Sequence, residues 1–323
     1  MAFTSMQGGV LVVDKPAGPT SFAVVERVRR ALRAAKAGHT GTLDPAATGV
    51  LAVCLDDAVK LQHWITGADK AYEALVVLGV ATDTADAEGR EVARGDASAI
   101  QAAAVEAALR PLVGEIDQVP PMYSAIRVGG RRLHEAARAG EEVDRAPRRV
   151  VVHALDLLAF EPAASSGGMA RARLAVRCGK GTYVRSLATA LGEALGLPAH
   201  LGALRRTAAG PFRVEDALPL DEVERMATDA PGELTGRLVR PAAALQDLPA
   251  LAAGHDEVLA LVQGRTLRRE PPPGPLCRVL DAAGDLVALC APADDGAGGV
   301  AGLKPVRVFV QPLEIRGSGP PKR

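Results

Sequence analysis

Aromatic residues make up only 3% of the 323-residue chain: one Trp, three Tyr and five Phe. With 48% apolar residues overall, a chain of this length buries about three quarters of its unfolded surface, so a real core built mainly from small aliphatic side chains is expected. Cysteine is also sparse. Cys54, Cys178, Cys277 and Cys290 show neither CxxC spacing nor clustering, which argues against a zinc site and a disulfide framework and fits a reducing cytoplasm. No apolar run approaches the roughly 18 residues of a membrane span, and the start MAFTSMQGG lacks a basic segment followed by an apolar one. A soluble, cytoplasmic protein with no membrane partner is expected.

Net charge is absent too, with 38 Lys/Arg against 38 Asp/Glu. A zero sum hides its distribution. Residues 1–50 carry six basic and three acidic side chains, 51–120 five and twelve, 121–213 fifteen and seven, and the remainder twelve and sixteen. Two positive segments that meet in space would form a basic face on a neutral protein, as a polyanion requires; segments that do not meet are ordinary solvated surface.

Several elements are legible along the chain. GGVLVVDKPAG (8–18) reads as a short buried strand ended by a Lys-Pro turn. Thr20 offers an N-cap to a helix in which Val24, Val25, Val28, Ala31 and Leu32 recur at helical spacing opposite Arg27, Arg30 and Arg33. GVLAVCL, KAYEALVVLG, RRVVVHALDLLAF and RARLAVRC read as strands, DTADAEGREV as a polar loop, and residues 98–110 and KGTYVRSLATALGEALG as helices. Gly129-Gly130 suits a two-residue hairpin turn leading into a short helix. The interleaving predicts a mixed α/β (α+β) fold with a mostly antiparallel sheet and flanking helices over residues 1–245. From about residue 248 Gly and Pro rise and the runs shorten, which predicts a small β domain over 248–313 with strands near LRRE, CRVLDA, LVALCAP and VRVFV. A disordered tail is expected over 314–323.

The densest constraint lies in GHTGTLDPAATGVL (38–51), where Asp44 precedes Pro45. Asp44 suits an N-cap for the turn that follows, while Gly38, Gly41, Gly49 and nearby His39 suit a catalytic turn. Spacing alone leaves both open. CGKGTYVRSLATALG (178–192) opens a helix with Tyr183 and Arg185 in its first turns. It is not a nucleotide-binding P-loop, because Leu174 stands where that pattern needs its first glycine. No His adjoins Cys178 in sequence, which suits a packed small residue rather than a nucleophile.

Together, GGVLVVDKPAGPTS, GHTGTLDPAATGVL, DKAYEALVVLG with TDTADAEG, VPPMYSAIRVGGRRLHEAARAG, and CGKGTYVRSLATALG followed by LGALRRTAAGPF resemble the TruB family of tRNA pseudouridine synthases. The five ordered motifs cover most of residues 8–213. The resemblance implies isomerisation of uridine-55 in the T-arm stem-loop of tRNA by base flipping, without metal or cofactor, by a stand-alone monomer. It implies that Asp44 is the catalytic aspartate, that Tyr72 stacks on the target base, that Arg185 pairs with Asp44, and that Leu204 lines the pocket. His39 corresponds to a residue that holds the T loop open, Lys15 and Lys60 to basic positions near the site, and Asp86 to a loop at the RNA interface. Tyr183 and Arg205 join the substrate-binding set, with Arg29, Arg30 and Arg206 as further phosphate partners, and the C-terminal segment resembles a PUA-type RNA-binding domain.

Chemistry agrees with these roles. The reaction breaks an N1 glycosidic bond, rotates the uracil and forms a C5 bond, so one carboxylate acts either as nucleophile or as base toward a sugar proton. A neighbouring Arg is expected to keep that carboxylate ionised. Three rivals stand beside this reading: a dyskerin-like enzyme dependent on guide RNA, a non-catalytic tRNA chaperone, and a glycoside hydrolase. The last lacks an evident second carboxylate.

Overall fold

The longest apolar runs become strands covered on both sides. β1 (Val10–Lys15) pairs antiparallel with β3 (Thr48–Leu55). Val10, Val12, Val50, Ala52 and Cys54 enter one core cluster, and Leu11, Val13, Leu51, Val53 and Leu55 another. Burial on both faces is why neither run alternates in polarity. The computed structural model describes residues 3–123, 143–294 and 300–311, with the backbone of 127–128 and 131–132.

Between those strands, α1 (Ser21–Ala31) begins where expected, the Thr20 hydroxyl accepting a hydrogen bond from the Ala23 amide at 3.1 Å. Its Val24, Val25 and Val28 are buried beneath the basic outer face. β2 (Ala37–His39) pairs with β3, which is followed by a 3-10 turn (Asp56–Leu61), α2 (Gln62–Thr66) and β4 (Lys70–Leu78). The polar loop is narrower than expected, because its flanks pair as β5 (Val80–Thr82) and β6 (Glu91–Arg94). Then come α3 (Ala102–Leu109) and β7 (Gly114–Gln118). β8 (Arg127–Val128) pairs antiparallel with β9 (Arg131–Arg132), whereas the turn expected at Gly129-Gly130 and the short helix expected after it lie outside the described residues. β10 (Arg148–Glu161), β11 (Ala170–Cys178), α4 (Val184–Ala194), β12 (Ala199–Ala209), β13 (Phe212–Arg213), β14 (Leu218–Pro219), α5 (Leu220–Asp229) and α6 (Pro231–Gly236) complete the larger unit.

The main sheet runs β14-β1-β3-β12-β4-β11-β10-β7, with β2 added beside β3 and β13 beside β12. Pairing is antiparallel except for β1 with β14 and β3 with β12. The sequence reading missed β12 as a strand, because Gly202 and the Arg205-Arg206 pair break its apolar pattern, yet this strand joins the two halves of the sheet. On β4 and β11, Tyr72, Ala74, Val76, Ala172, Leu174 and Val176 face a core that α3 and α4 also enter, while Glu73, Arg171, Arg173 and Arg177 are exposed.

A second sheet has the order β15 (Ala250–Ala252), β16 (Cys277–Leu280), β17 (Leu286–Asp294), β18 (Val300–Val308), with α7 (His255–Val262) inserted after β15. The strand expected near LRRE shrinks to an isolated bridge between Leu267 and Leu303, and β15 occupies an edge instead. Leu286, Leu289 and Phe309 of this C-terminal part pack into the same cluster as Val10, Val12 and Val50. Trp64 of α2 meets Phe309 edge-on at a ring separation of 6.0 Å. The expected disordered tail, 314–323, lies outside the described residues. Among the described residues no helix is long and apolar enough to cross a membrane.

Candidate active site

The loop between β2 and β3 is fixed from beneath by buried cations. Lys15, at the end of β1, has no exposed surface and donates from Nζ to the carbonyls of Pro16 (2.9 Å), Pro45 (2.9 Å) and Ala47 (2.7 Å). Arg206, on β12, is 2% exposed and donates to the carbonyls of Val50 (2.7 Å) and Gly41 (3.0 Å). Burial lowers the pKa of both cations, that of Lys15 to about 8. Gly49 lets the strands approach: its φ is +100°, and a Cβ there would lie 2.2 Å from the Arg206 carbonyl oxygen. From α1, the Ser21 hydroxyl donates to the Leu43 carbonyl (2.9 Å) and accepts from the Leu43 amide (2.8 Å), while the Gly18 amide donates to the Pro45 carbonyl (2.9 Å).

That frame frees Asp44 from capping. Its backbone carbonyl closes a turn with the Ala47 amide at 3.1 Å, but among the described residues its carboxylate accepts from no amide. Instead Oδ2 lies 3.1 Å from the guanidinium of Arg185. The N-cap alternative therefore fails. Arg185 sits in the first turn of α4, with a side chain 6% exposed. It also reaches Asp86 Oδ2 at 3.4 Å and donates to the carbonyls of Thr84 (3.2 Å) and Tyr123 (2.7 Å). Gln118 of β7 clamps the start of α4, accepting from the Tyr183 amide (2.7 Å) and donating to its carbonyl (3.0 Å). Asp86 is itself held by the Thr84 hydroxyl (2.6 Å) and the Glu88 amide (3.1 Å).

Asp44, Tyr72, Arg185, Leu204 and Tyr183 all line one cleft of about 1280 Å³, whose walls also include Trp64 and Lys180. That exceeds the usual 300–1,000 Å³ of a small-molecule site and suits part of a larger substrate. Tyr72 is 9% exposed, and its hydroxyl is within hydrogen-bond reach of Arg206. Burial raises its pKa, and burial also raises that of Asp44. Arg185 pulls the Asp44 value down and Asp86 pushes it up, so the guanidinium acts in the expected direction but burial outweighs it. The Asp44 side chain keeps 43% exposure toward the cleft, so any ligand that covers it strengthens the push.

Other expected residues have different surroundings. His39 is half-buried, and its Nδ1 accepts from the Gly41 amide at 3.3 Å; burial first, then Arg206, lower its pKa, so the neutral ring supports the loop. Lys60 pairs with Asp57 at 2.6 Å and is not on the cleft wall. Arg205 makes a two-pronged pair with Asp14 (3.1 and 2.7 Å) beside a separate hollow of about 370 Å³. Arg206, expected as a phosphate partner, is consumed by carbonyls, and Arg29 pairs with Glu26 at 3.0 Å. Asp86, expected in a loop at the RNA interface, pairs with Arg185. Lys70 was missed: it lines the cleft, donates to the carbonyls of Thr66 (2.7 Å) and Ala68 (2.6 Å), and has a pKa lowered by burial to about 8. Its place two residues before Tyr72, on the same strand face, was the available signal. Among the described residues no group of three or more His, Cys, Asp or Glu side chains is placed to hold a metal ion.

Residues 29–184 match the TruB family pseudouridylate synthase N-terminal domain, and residues 185–246 the tRNA pseudouridylate synthase B C-terminal domain. The chain belongs to the TruB family. A tRNA pseudouridine synthase B of Geobacillus kaustophilus is 47% identical over 264 residues, 81% of this chain and 91% of that relative. That of Saccharophagus degradans is 40% identical over 294 residues, 89% and 93% of the two chains. Among solved structures, the archaeal box H/ACA sRNP Nop10-Cbf5 complex aligns with a TM-score of 0.68 at 27% identity, over 94% of this chain and 87% of that one. The TruB family thus accounts for the mixed sheet and for the turn that carries Asp44.

Within this TruB frame, Lys15→Met is expected to leave three carbonyls without their donor and to lower stability by about 1–3 kcal/mol in chemical denaturation. Turnover should fall with it, because two of these carbonyls, those of Pro45 and Ala47, shape the Asp44 turn.

Proposed function

We propose that the protein isomerises uridine-55 of the tRNA T loop to pseudouridine. The observation that carries this reading is the pairing of Asp44 with Arg185 at 3.1 Å in a cleft that Tyr72 and Leu204 also line. A uridine swung out of its loop presents a flat base to Tyr72 and its sugar to Asp44, the cost of extrusion being a few kcal/mol. Asp44 then attacks C1′ as the uracil leaves through N1, or takes a sugar proton that it later returns; the uracil turns within the pocket, C5 bonds to C1′ as the aspartyl ester or the unsaturated sugar is resolved, and the C5 proton is lost while N1 takes one up. Arg185, fixed by four acceptors, holds the carboxylate in place through these steps.

Asp86 supplies the second carboxylate that the sequence did not reveal, yet it pairs with Nη1 of Arg185 while Asp44 pairs with Nη2, and it is not on the cleft wall. A glycosidase needs its two acids flanking the scissile bond, so this geometry supports the isomerase. The C-terminal sheet, read as a PUA-like module, would add backbone contacts to the RNA, and the four buried free cysteines fit a cytoplasmic setting.

The test is incubation of the purified protein with an unmodified tRNA transcript, without guide RNA, followed by mapping of pseudouridine. Product at position 55 alone is expected, with binding that weakens steeply as salt rises. No product without guide RNA would favour the guide-dependent rival.

A further inference from the structure

Phe22 is the most exposed large apolar side chain among the described residues, at 70%, in a chain with only nine aromatic residues. It belongs to the first turn of α1 and follows Ser21, the residue tied to Leu43 by two hydrogen bonds. Leu43 in turn precedes Asp44. The ring is thus carried on a rigid segment braced directly to the catalytic turn, and it packs in none of the core clusters. At 3.6 residues per turn, Phe22, Glu26, Arg29 and Arg30 fall within a sector of about 100° on α1. Arg29 neutralises Glu26, and Arg30 and Arg33 are exposed and have no ion-pair partner among the described residues. An exposed ring in the first turn of a helix, with the unpaired Arg30 about 12 Å further along it and the unpaired Arg33 just past its end, is the combination that binds single-stranded nucleic acid: a π-face for a base and cations for the phosphates.

We propose that Phe22 is a stacking platform for a nucleotide of the substrate RNA other than the target uridine, with Arg30 and Arg33 taking neighbouring phosphates. This rests on the proposed tRNA reading and extends it to a second base-binding position outside the cleft. The ring touches no reacting atom in this arrangement, so it contributes to binding and to the placement of the loop, and its loss appears in KM.

The experiment compares full-length wild type, Phe22→Ala, Phe22→Leu and Phe22→Trp on an unmodified tRNA transcript, measuring Kd by filter binding, kcat and KM by pseudouridine formation, and thermal unfolding. Leu keeps the apolar bulk but not the π-face, and Trp keeps both. A five- to twenty-fold rise in Kd and KM is expected for Ala and Leu, with kcat within twofold, Trp near wild type, and unfolding temperatures unchanged throughout. Wild-type KM in the Leu variant, or an effect confined to unfolding, overturns the proposal while leaving the enzyme reading intact. Unchanged tRNA binding with wild-type self-association lost in Phe22→Ala would assign the ring to a second copy of the chain, and also overturns it. A wild-type protein that neither binds nor modifies tRNA removes both readings.

Discussion

Asp44→Asn is expected to reduce pseudouridine formation by at least about 10³-fold, while tRNA binding stays within a few fold of wild type. Asn preserves shape and loses both nucleophilicity and basicity, so the effect should fall on kcat. Single-turnover assays beside filter binding check it; retained turnover would move the chemistry to another group. Stability should respond in the opposite direction. Burial raises the folded-state pKa of Asp44 above the ordinary carboxylate value of about 3.9, so ionisation at neutral pH works against folding. The Asn variant should therefore unfold at a temperature no lower than wild type at pH 7. Any difference should close as pH falls through the raised pKa, because protonation removes the same cost from the wild type. Activity in the wild type should show an acid limb above the ordinary carboxylate range for the same reason.

Arg185→Lys is expected to lower kcat by at least about 100-fold, and Arg185→Met to destabilise the fold by about 3–5 kcal/mol as well. The guanidinium spans Asp44, Asp86 and the carbonyls of Thr84 and Tyr123 at once. An ammonium with three donors on a flexible stem cannot reproduce a planar five-donor fork, so Lys keeps the charge and loses the geometry. Methionine also removes the charge between two partly buried carboxylates, leaving them to repel each other. Denaturant titrations with single-turnover rates separate the two costs: equal loss of kcat in Lys and Met with unequal stability is the expected pattern. A Lys variant at wild-type kcat would show that charge alone suffices.

Much of this site was legible before any coordinates, and for identifiable reasons. Asp44-Pro45 restricts its own backbone, the capped start of α1 announces itself through Thr20, and Tyr72 and Leu204 lie in ordered motifs. What periodicity could not reveal was the fate of the cations. Lys15 read as a basic position near the site, Arg206 as a phosphate partner and Lys70 only as part of a strand, yet each is turned inward onto backbone carbonyls, a role set by tertiary packing rather than by neighbours in sequence. Arg205 beside Arg206 shows the point sharply. Adjacent residues on one strand face opposite ways, one toward Asp14 and the other beneath the Asp44 turn. The pairing of Asp86 with Arg185 lay hidden for a similar reason, since only the fold brings its loop to α4.

The packing of Leu286, Leu289 and Phe309 against the back of β1 and β3 carries a consequence for evolution and for engineering. The second sheet is structural cladding before it is anything else: a chain shortened to the catalytic portion would wet the reverse of the very strand that ends in Lys15. Loss of the appendage would thus be felt at the Asp44 turn through loosened masonry, even for a substrate small enough never to touch it.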